Sequence, residues 1–117
     1  MAKTIFISYL HSPVGSTFYL EGMRAALGIL SGSDPHKVIL AYIGKGVRCA
    51  IKGVDRSYAS GMVDLFEKNA EGKRFYVERE SLAKEGIAET DLDENFAAVS
   101  REELRKKMLE ADFALSF

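Results

Sequence analysis

The sequence contains one thiol, Cys49, and three cations lie close to it along the chain: Lys45, Arg48 and Lys52. Cys49 follows an apolar run and is predicted to lie near the start of a short helix over residues 47–52. Nearby cations and a helix N-terminus lower the pKa of a thiol and raise its thiolate fraction. Cys49 is therefore a candidate nucleophile that could carry sulfur as a persulfide. The alternative is a buried structural cysteine, because free cysteines are among the most buried residue types.

A small polar loop over residues 11–17 is a second candidate site. His11, Ser12 and Ser16 precede a predicted helix, and the N-terminus of a helix attracts anions. This arrangement could form a small-ligand or nucleotide-binding module, although the loop lacks the GxxxxGK[ST] motif of a phosphate-binding loop. The alternative is a simple turn in which Ser16 or Thr17 caps the helix.

Glu78, Arg79 and Glu80 form a third candidate site at the end of a predicted strand. Two carboxylates beside a guanidinium could act as an acid/base pair or as an arginine clamp for an anion. The alternative is an exposed cluster of ion pairs. One cysteine and two distant histidines do not have the spacing of a metal site, so neither a metal nor a cofactor is predicted.

The composition is typical of a small globular protein. The 117 residues are 47% hydrophobic and carry a net charge of −1, which favours a single domain over residues 1–117 and argues against a nucleic-acid-binding surface. No apolar run is long enough to cross a membrane, and the first residues lack the features of a signal peptide. A cytoplasmic location is expected, and the single cysteine fits a reducing compartment.

Short apolar runs alternate with helical patterns along the chain. Strands are predicted over residues 4–10, 37–43, 74–77, 96–99 and 113–117. Helices are predicted over residues 17–30, 47–52, 58–70, 81–85 and 101–110. This alternation predicts an α/β fold of the small doubly wound type, with a five-stranded, mostly parallel sheet and helices on both faces. In such sheets ligands bind at the carboxyl ends of the strands, where all three candidate sites are expected to lie.

The last predicted helix, residues 101–110, begins with a capping box formed by Ser100 and Glu103. Leu104 and Met108 are one helical turn apart, and the spacing predicts that both face the sheet. The same pattern predicts that Lys106 and Lys107 face water.

The first predicted helix, residues 17–30, is apolar on more than one side. Leu20, Met23, Leu27 and Leu30 form one helical face, and further apolar residues widen it. A helix of this kind needs cover on more than one side. The pattern therefore predicts contact with a second subunit as well as with the sheet.

The layout resembles the DsrE/DsrF-like family of sulfur-relay proteins, which includes TusC-, TusD- and YchN-like members. The resemblance covers nearly the whole chain and depends on four stretches in order. They are IFISYLHSPVGS at residues 5–16, YIGKGVRCAIKG at 42–53, FYVERESLAKEGI at 75–87 and ADFALSF at 111–117. They are similar to the family's first strand and its loop, its second strand and turn, its third strand, and its "A-D-x-V-L-x-F" ending.

The resemblance implies a role in intracellular sulfur metabolism but also shows a departure. In sulfur-carrying members the working cysteine directly follows the third strand, and Glu78 stands at that position here. The family also contains members that lack this cysteine and act as partner subunits. The family's sulfur-accepting residue therefore cannot be carried over to this chain. Two hypotheses follow: a non-catalytic partner subunit, or a sulfurtransferase-like carrier that uses Cys49, the single cysteine of the sequence. The resemblance also implies a homo-oligomer, as a trimer or a hexamer, or a hetero-oligomer with related subunits that meets a sulfur-donor or acceptor protein.

Overall fold

The computed structural model describes residues 3–13, 17–32, 36–53 and 75–117. The strands are β1 (Thr4–Tyr9), β2 (Lys37–Tyr42), β3 (Phe75–Glu78), β4 (Phe96–Val99) and β5 (Phe113–Ser116). The α-helices are α1 (Phe18–Leu30), α2 (Arg79–Glu85) and α3 (Arg101–Glu110), and 3₁₀ helices span Gly44–Ala50 and Glu89–Asp91. The helix predicted over residues 58–70 lies outside the described residues.

The five strands form one sheet in the order β4-β3-β2-β1-β5, and every neighbouring pair is parallel. The predicted doubly wound α/β fold is therefore confirmed. Strands that run β1 to β4 in one direction and then return to β5 require crossovers on opposite faces, because parallel crossovers are almost always right-handed. In the described ranges, no helix has the length and apolar character needed to span a bilayer.

The larger core lies on the sheet face covered by α1, α2 and the first 3₁₀ helix. Alternate residues of the strands point to it, as the two-residue period of a strand requires. Its buried members include Ile5, Ile7, Tyr9, Val38, Leu40, Tyr42, Phe75 and Val77 from the strands, with Tyr19, Met23, Ala26, Val47, Cys49 and Leu82 above them. Side chains from β1, β2 and β3 share this cluster with side chains from α1 and α2. The cluster therefore holds these helices against the sheet.

The smaller core lies on the opposite face, under α3. Leu104 is buried against Phe6, Ile39 and Ala41. The prediction that Met108 faces the sheet is wrong, because its side chain is 40% exposed. Lys107 lies over the Tyr76 ring instead, with its ammonium 4.8 Å from the ring centroid.

The rotation of α3 about its own axis explains why Lys107, and not Met108, lies against the sheet. Leu104, Lys107 and Ala111 follow an i, i+3, i+7 stripe, and this stripe lies on the sheet. The apolar stem of a lysine can cover a ring while its charge stays near water, and the cation is attracted to the ring face. A lysine thus takes the place expected for a methionine. Ser100 caps the helix as predicted, since its side chain accepts a hydrogen bond from the Glu103 amide at 3.1 Å.

Candidate functional site

The carboxyl ends of β1, β2 and β3 meet at one edge of the sheet, and the segments that follow them touch. The Cys49 thiol donates to the His11 carbonyl at 3.6 Å, which joins the segment after β2 to the segment after β1. The Gly44 amide donates to the Ser81 hydroxyl at 2.8 Å, which joins the segment after β2 to the segment after β3. The structure therefore brings the three predicted sites together.

A pair of glycines makes the turn after β2 tight enough for these contacts. Gly44 has a positive φ of 58°, a conformation that favours glycine. Gly46 packs directly on β1, because a Cβ built there would lie 1.9 Å from the Tyr9 carbonyl oxygen. The Ile43 amide also donates to that oxygen at 3.0 Å. The Gly44–Ala50 segment is thus fixed against the end of β1.

Cys49 is fully buried within this segment. The prediction that it lies near the start of a helix is wrong, because the 3₁₀ helix begins at Gly44 and ends at Ala50. Glycine at 44 allows the chain to turn immediately after β2, and Cys49 then falls in the last turn. A helix N-terminus therefore does not act on the thiol.

The three cations near Cys49 in the sequence point elsewhere in the structure. Lys45, Arg48 and Lys52 are exposed, as their place on the outer side of the turn requires. The Arg48 guanidinium pairs with the Glu85 carboxylate at 2.9 Å. The Lys52 ammonium donates to the Thr90 carbonyl at 3.2 Å. These contacts hold the turn to α2 and to the second 3₁₀ helix.

Three tyrosines form a buried polar layer close to Cys49, and the sequence interpretation did not identify it. The Tyr19 and Tyr42 hydroxyls are 3.3 Å apart, and the Tyr9 hydroxyl donates to the Met23 sulfur at 3.3 Å. The Tyr9 ring contacts the Tyr19 and Tyr42 rings at centroid distances of 5.3 and 4.9 Å. Burial raises the pKa of Tyr9 and of Tyr42 well above 10.0, and the neighbouring Tyr19 adds to the effect. Both phenols stay neutral near pH 7 and supply no charge to the thiol.

Glu78 is the last residue of β3, and its side chain is buried despite its charge. Its Oε1 atom accepts from the Ser81 hydroxyl at 2.5 Å and from the Arg101 guanidinium at 3.0 Å. Ser81 in turn accepts from the Gly44 amide. The carboxylate therefore links the start of α2, the start of α3 and the turn after β2, and we call these four residues the Glu78 network.

The charge of Glu78 is matched by Arg101. The hydrogen bond and the charge of Glu78 raise the pKa of Arg101 above its usual value, so the guanidinium stays charged. Buried charges are normally paired and hydrogen-bonded, because an unpaired one is costly. Ser81 and Arg101 were missed from the sequence. Arg101 follows β4, and the pairing of Glu78 with Val99 in the β3–β4 register places it nearby.

Arg79 and Glu80 face outward and are engaged in local contacts. The Arg79 guanidinium pairs with Glu89 at 3.1 Å and donates to the Ala98 carbonyl of β4 at 3.1 Å. Glu80 accepts from the Arg101 backbone amide at 2.9 Å, and this hydrogen bond lowers the pKa of the Glu80 carboxyl. The Arg79–Glu89 ion pair fits the exposed cluster that the sequence allowed as an alternative, whereas the buried Glu78 does not.

The loop after β1 is only partly described. His11 is exposed and stacks on Phe18, with ring centroids 4.2 Å apart, and Ser12 is half-buried. Ser16 lies outside the described residues. Thr17 is the N-cap residue of α1, and its side chain makes no capping hydrogen bond. The predicted alternative in which Thr17 caps the helix through its hydroxyl is therefore wrong.

We predict that Glu78→Ala lowers the free energy of unfolding by about 1–3 kcal/mol, because Ser81 and Arg101 lose a shared charged acceptor. Chemical denaturation followed by circular dichroism measures the change. Glu78→Gln keeps an oxygen acceptor and should lose less. Glu102→Ala, an exposed carboxylate on α3, is the matched control and should stay within about 0.5 kcal/mol. Equal losses in Glu78→Ala and Glu102→Ala would contradict the role of the network.

Comparison with known proteins gives a family and several similar solved structures, two of which are described below. The family model of the DsrE/DsrF-like family matches residues 3–117. The ychN protein from E. coli is similar in structure, with a TM-score of 0.75, 17% sequence identity and 100% of each chain covered. MTH1491, a protein of unknown function from Methanobacterium thermoautotrophicum, has a TM-score of 0.76 at 14% identity, with 97% of this chain and 98% of that chain covered. At these identities the two structures show a shared fold. No curated protein sequence matches the chain.

Proposed function

Because the chain belongs to the DsrE/DsrF-like family, we propose that it serves intracellular sulfur metabolism as a non-catalytic partner subunit. The observation that carries this proposal is Glu78. It ends the third strand and occupies the sequence position that the resemblance assigns to the sulfur-accepting cysteine. A carboxylate cannot form a persulfide, and this one is held by Ser81 and Arg101.

The burial of Cys49 supports the same proposal. Sulfur transfer requires the thiolate to reach the sulfane sulfur of a donor, so the sulfur atom must be accessible. Cys49 has no exposed surface, and its thiol donates to the His11 carbonyl. Its neighbours Val47 and Ala50 are also buried. The carrier hypothesis would require the Gly44–Ala50 segment to move away from β1, where the contact of Gly46 with Tyr9 holds it.

A partner subunit contributes a rigid surface to an assembly. The Glu78 network fixes the carboxyl edge of the sheet without offering a nucleophile there. In this proposal the chain assembles with further copies or with related subunits that keep the cysteine after their third strand. A sulfur-donor or acceptor protein then meets the cysteine-bearing subunit and not this one. A small-ligand role for the loop with His11 and Ser12 is the alternative.

Alkylation of the native protein tests this proposal. We expect Cys49 to remain unmodified by iodoacetamide at neutral pH over hours and to react completely once the protein is unfolded, because burial excludes the reagent. Intact-protein mass spectrometry reads the result. Ala83→Cys places a thiol on the exposed side of α2 and is the matched control, which should react in the folded state.

A sulfur-loading experiment separates the partner role from the carrier role. The protein is incubated with a low-molecular-weight persulfide, whose outer sulfur would pass to an attacking thiolate while the donor leaves as a thiolate. We expect native wild-type protein to gain no sulfur. Ala83→Cys, whose added thiol lies on the exposed side of α2, is the control and should gain one sulfur atom at residue 83. Loading of Cys49 in the native wild type would overturn the partner role and support the carrier hypothesis.

A further inference from the structure

β5 forms an edge of the described sheet and is exposed along its whole length. Two of its side chains are large and apolar: Phe113 is 59% exposed and Leu115 is 41% exposed. The surface continues at Leu10, which is also exposed and whose amide donates to the Phe117 carbonyl at 2.8 Å. An uncharged, exposed edge strand is a template for pairing with another strand.

The backbone of β5 is oriented to accept a further strand. The Phe117 amide donates to the Ser8 carbonyl and the Leu10 amide donates to the Phe117 carbonyl, so both backbone groups of Phe117 face β1. Residues two apart in a strand direct their backbone groups to the same side, so those of Leu115 and Phe113 also face β1. Ala114 and Ser116 lie between those residues. Their amide and carbonyl groups therefore point away from β1, toward the open side of the edge.

The opposite edge of the sheet is protected by contrast. The Arg79 guanidinium donates to the Ala98 carbonyl of β4 and is held there by Glu89. Charged side chains at an edge discourage pairing with another chain. The sequence of β5, Phe-Ala-Leu-Ser, contains neither a charge nor a proline. The β4 edge therefore carries charged side chains that discourage the addition of a strand, whereas β5 carries none.

We propose that β5 pairs antiparallel with β5 of a second copy of this chain across a two-fold axis at Ala114. In this register Ala114 lies opposite Ala114 of the second copy, and the two residues exchange reciprocal N–H···O bonds. Phe113 lies opposite Leu115 of the second copy as a non-hydrogen-bonded pair, and these apolar side chains meet on one face of the joined sheet.

Self-pairing fits this strand because its charges do not oppose one another. Asp112 is the nearest charged residue, and the two-fold register places it opposite Ser116 of the second copy and not opposite another carboxylate. The same strand reversed therefore supplies the matching backbone groups, apolar side chains and charge pattern. The pairing goes beyond the proposed function and does not depend on a role in sulfur metabolism.

The test compares two lysine substitutions in the full chain by sedimentation or light scattering. Leu115→Lys places a charge in the proposed interface and should halve the mass of the assembly, from dimer to monomer or from hexamer to trimer. We expect the dissociation constant to rise by at least about 30-fold, as for a central interface residue. Leu109→Lys makes the same change at a 70% exposed leucine of α3 and should leave the mass unchanged.

A crosslink gives a second measurement that does not depend on breaking the interface. Ala114→Cys puts two thiols opposite each other at the two-fold axis, within the distance that a disulfide requires. Mild oxidation should join the copies, whereas Ala83→Cys on α2 should not. A monomeric or trimeric wild type would overturn the proposal. It would also be overturned by equal effects of Leu115→Lys and Leu109→Lys, or by failure of Ala114→Cys to crosslink.

Discussion

Gly46→Ala should destabilise the protein by about 3 kcal/mol, the upper end of what overpacking usually costs. A Cβ at this position would lie 1.9 Å from the Tyr9 carbonyl oxygen and 2.6 Å from its carbonyl carbon. Both are backbone atoms of β1, and the oxygen already accepts from the Ile43 amide. The strand cannot withdraw without losing that hydrogen bond, so the Gly44–Ala50 segment has to shift.

Denaturant unfolding monitored by circular dichroism measures this loss, and Gly28→Ala is the control. Gly28 lies inside α1, and a Cβ there would meet no atom within 4 Å. Alanine is the better helix former by about 0.8–1 kcal/mol, so Gly28→Ala should stabilise the protein. A Gly46→Ala variant as stable as the wild type would show that the turn does not pack on β1 as described. Increased alkylation of Cys49 in Gly46→Ala would show that the same contact closes the site.

Leu104→Ala should cost about 2–5 kcal/mol, because it removes the buried contact of α3 with the sheet. Leu104 packs on Phe6, Ile39 and Ala41, which form the smaller core. A cavity at this point weakens the docking of the helix that leads into β5. The measurement is the free energy of unfolding from guanidinium titration, with an unchanged slope as evidence that the folded state stays compact.

Two residues of the same helix serve as controls. Leu109→Ala removes the same atoms from a side chain that is 70% exposed and should change stability by less than about 0.5 kcal/mol. Met108→Ala should cost less than Leu104→Ala, because the Met108 side chain is already 40% exposed to solvent. If Met108→Ala proved the more costly change, α3 would be rotated by about one residue from its described orientation.

The strands were predictable from the sequence because each lies in a short, mostly apolar run that is too short for a helix. Alternation with helical patterns then predicted a parallel sheet. The face of α3 was harder to predict, since apolar spacing alone selects Met108 over Lys107. The aliphatic part of a lysine and the Tyr76 ring together provide an apolar contact that a hydrophobicity pattern does not represent.

The three candidate segments lie together at the carboxyl edge of the sheet, but their contacts were not predictable from sequence neighbours. Lys45, Arg48 and Lys52 are near Cys49 along the chain, whereas in space they contact other elements or solvent. For Glu78 the sequence allowed an exposed ion-pair cluster as an alternative, because glutamates are rarely buried without a partner. Its partner Arg101 lies 23 positions away and comes close only because β3 and β4 are neighbours in the sheet.

The place of β1 beside β5 has a consequence for the newly made chain. The Thr4 amide bonds to the Asp112 carboxylate across 108 positions, and synthesis of that length takes roughly 5–20 seconds at the usual rate of translation. During this interval one side of an apolar strand is open to other nascent chains. Contacts between distant positions also slow folding after release. We therefore expect the chain to need chaperones during synthesis, and its aggregation on rapid overexpression to decrease at lower expression rates.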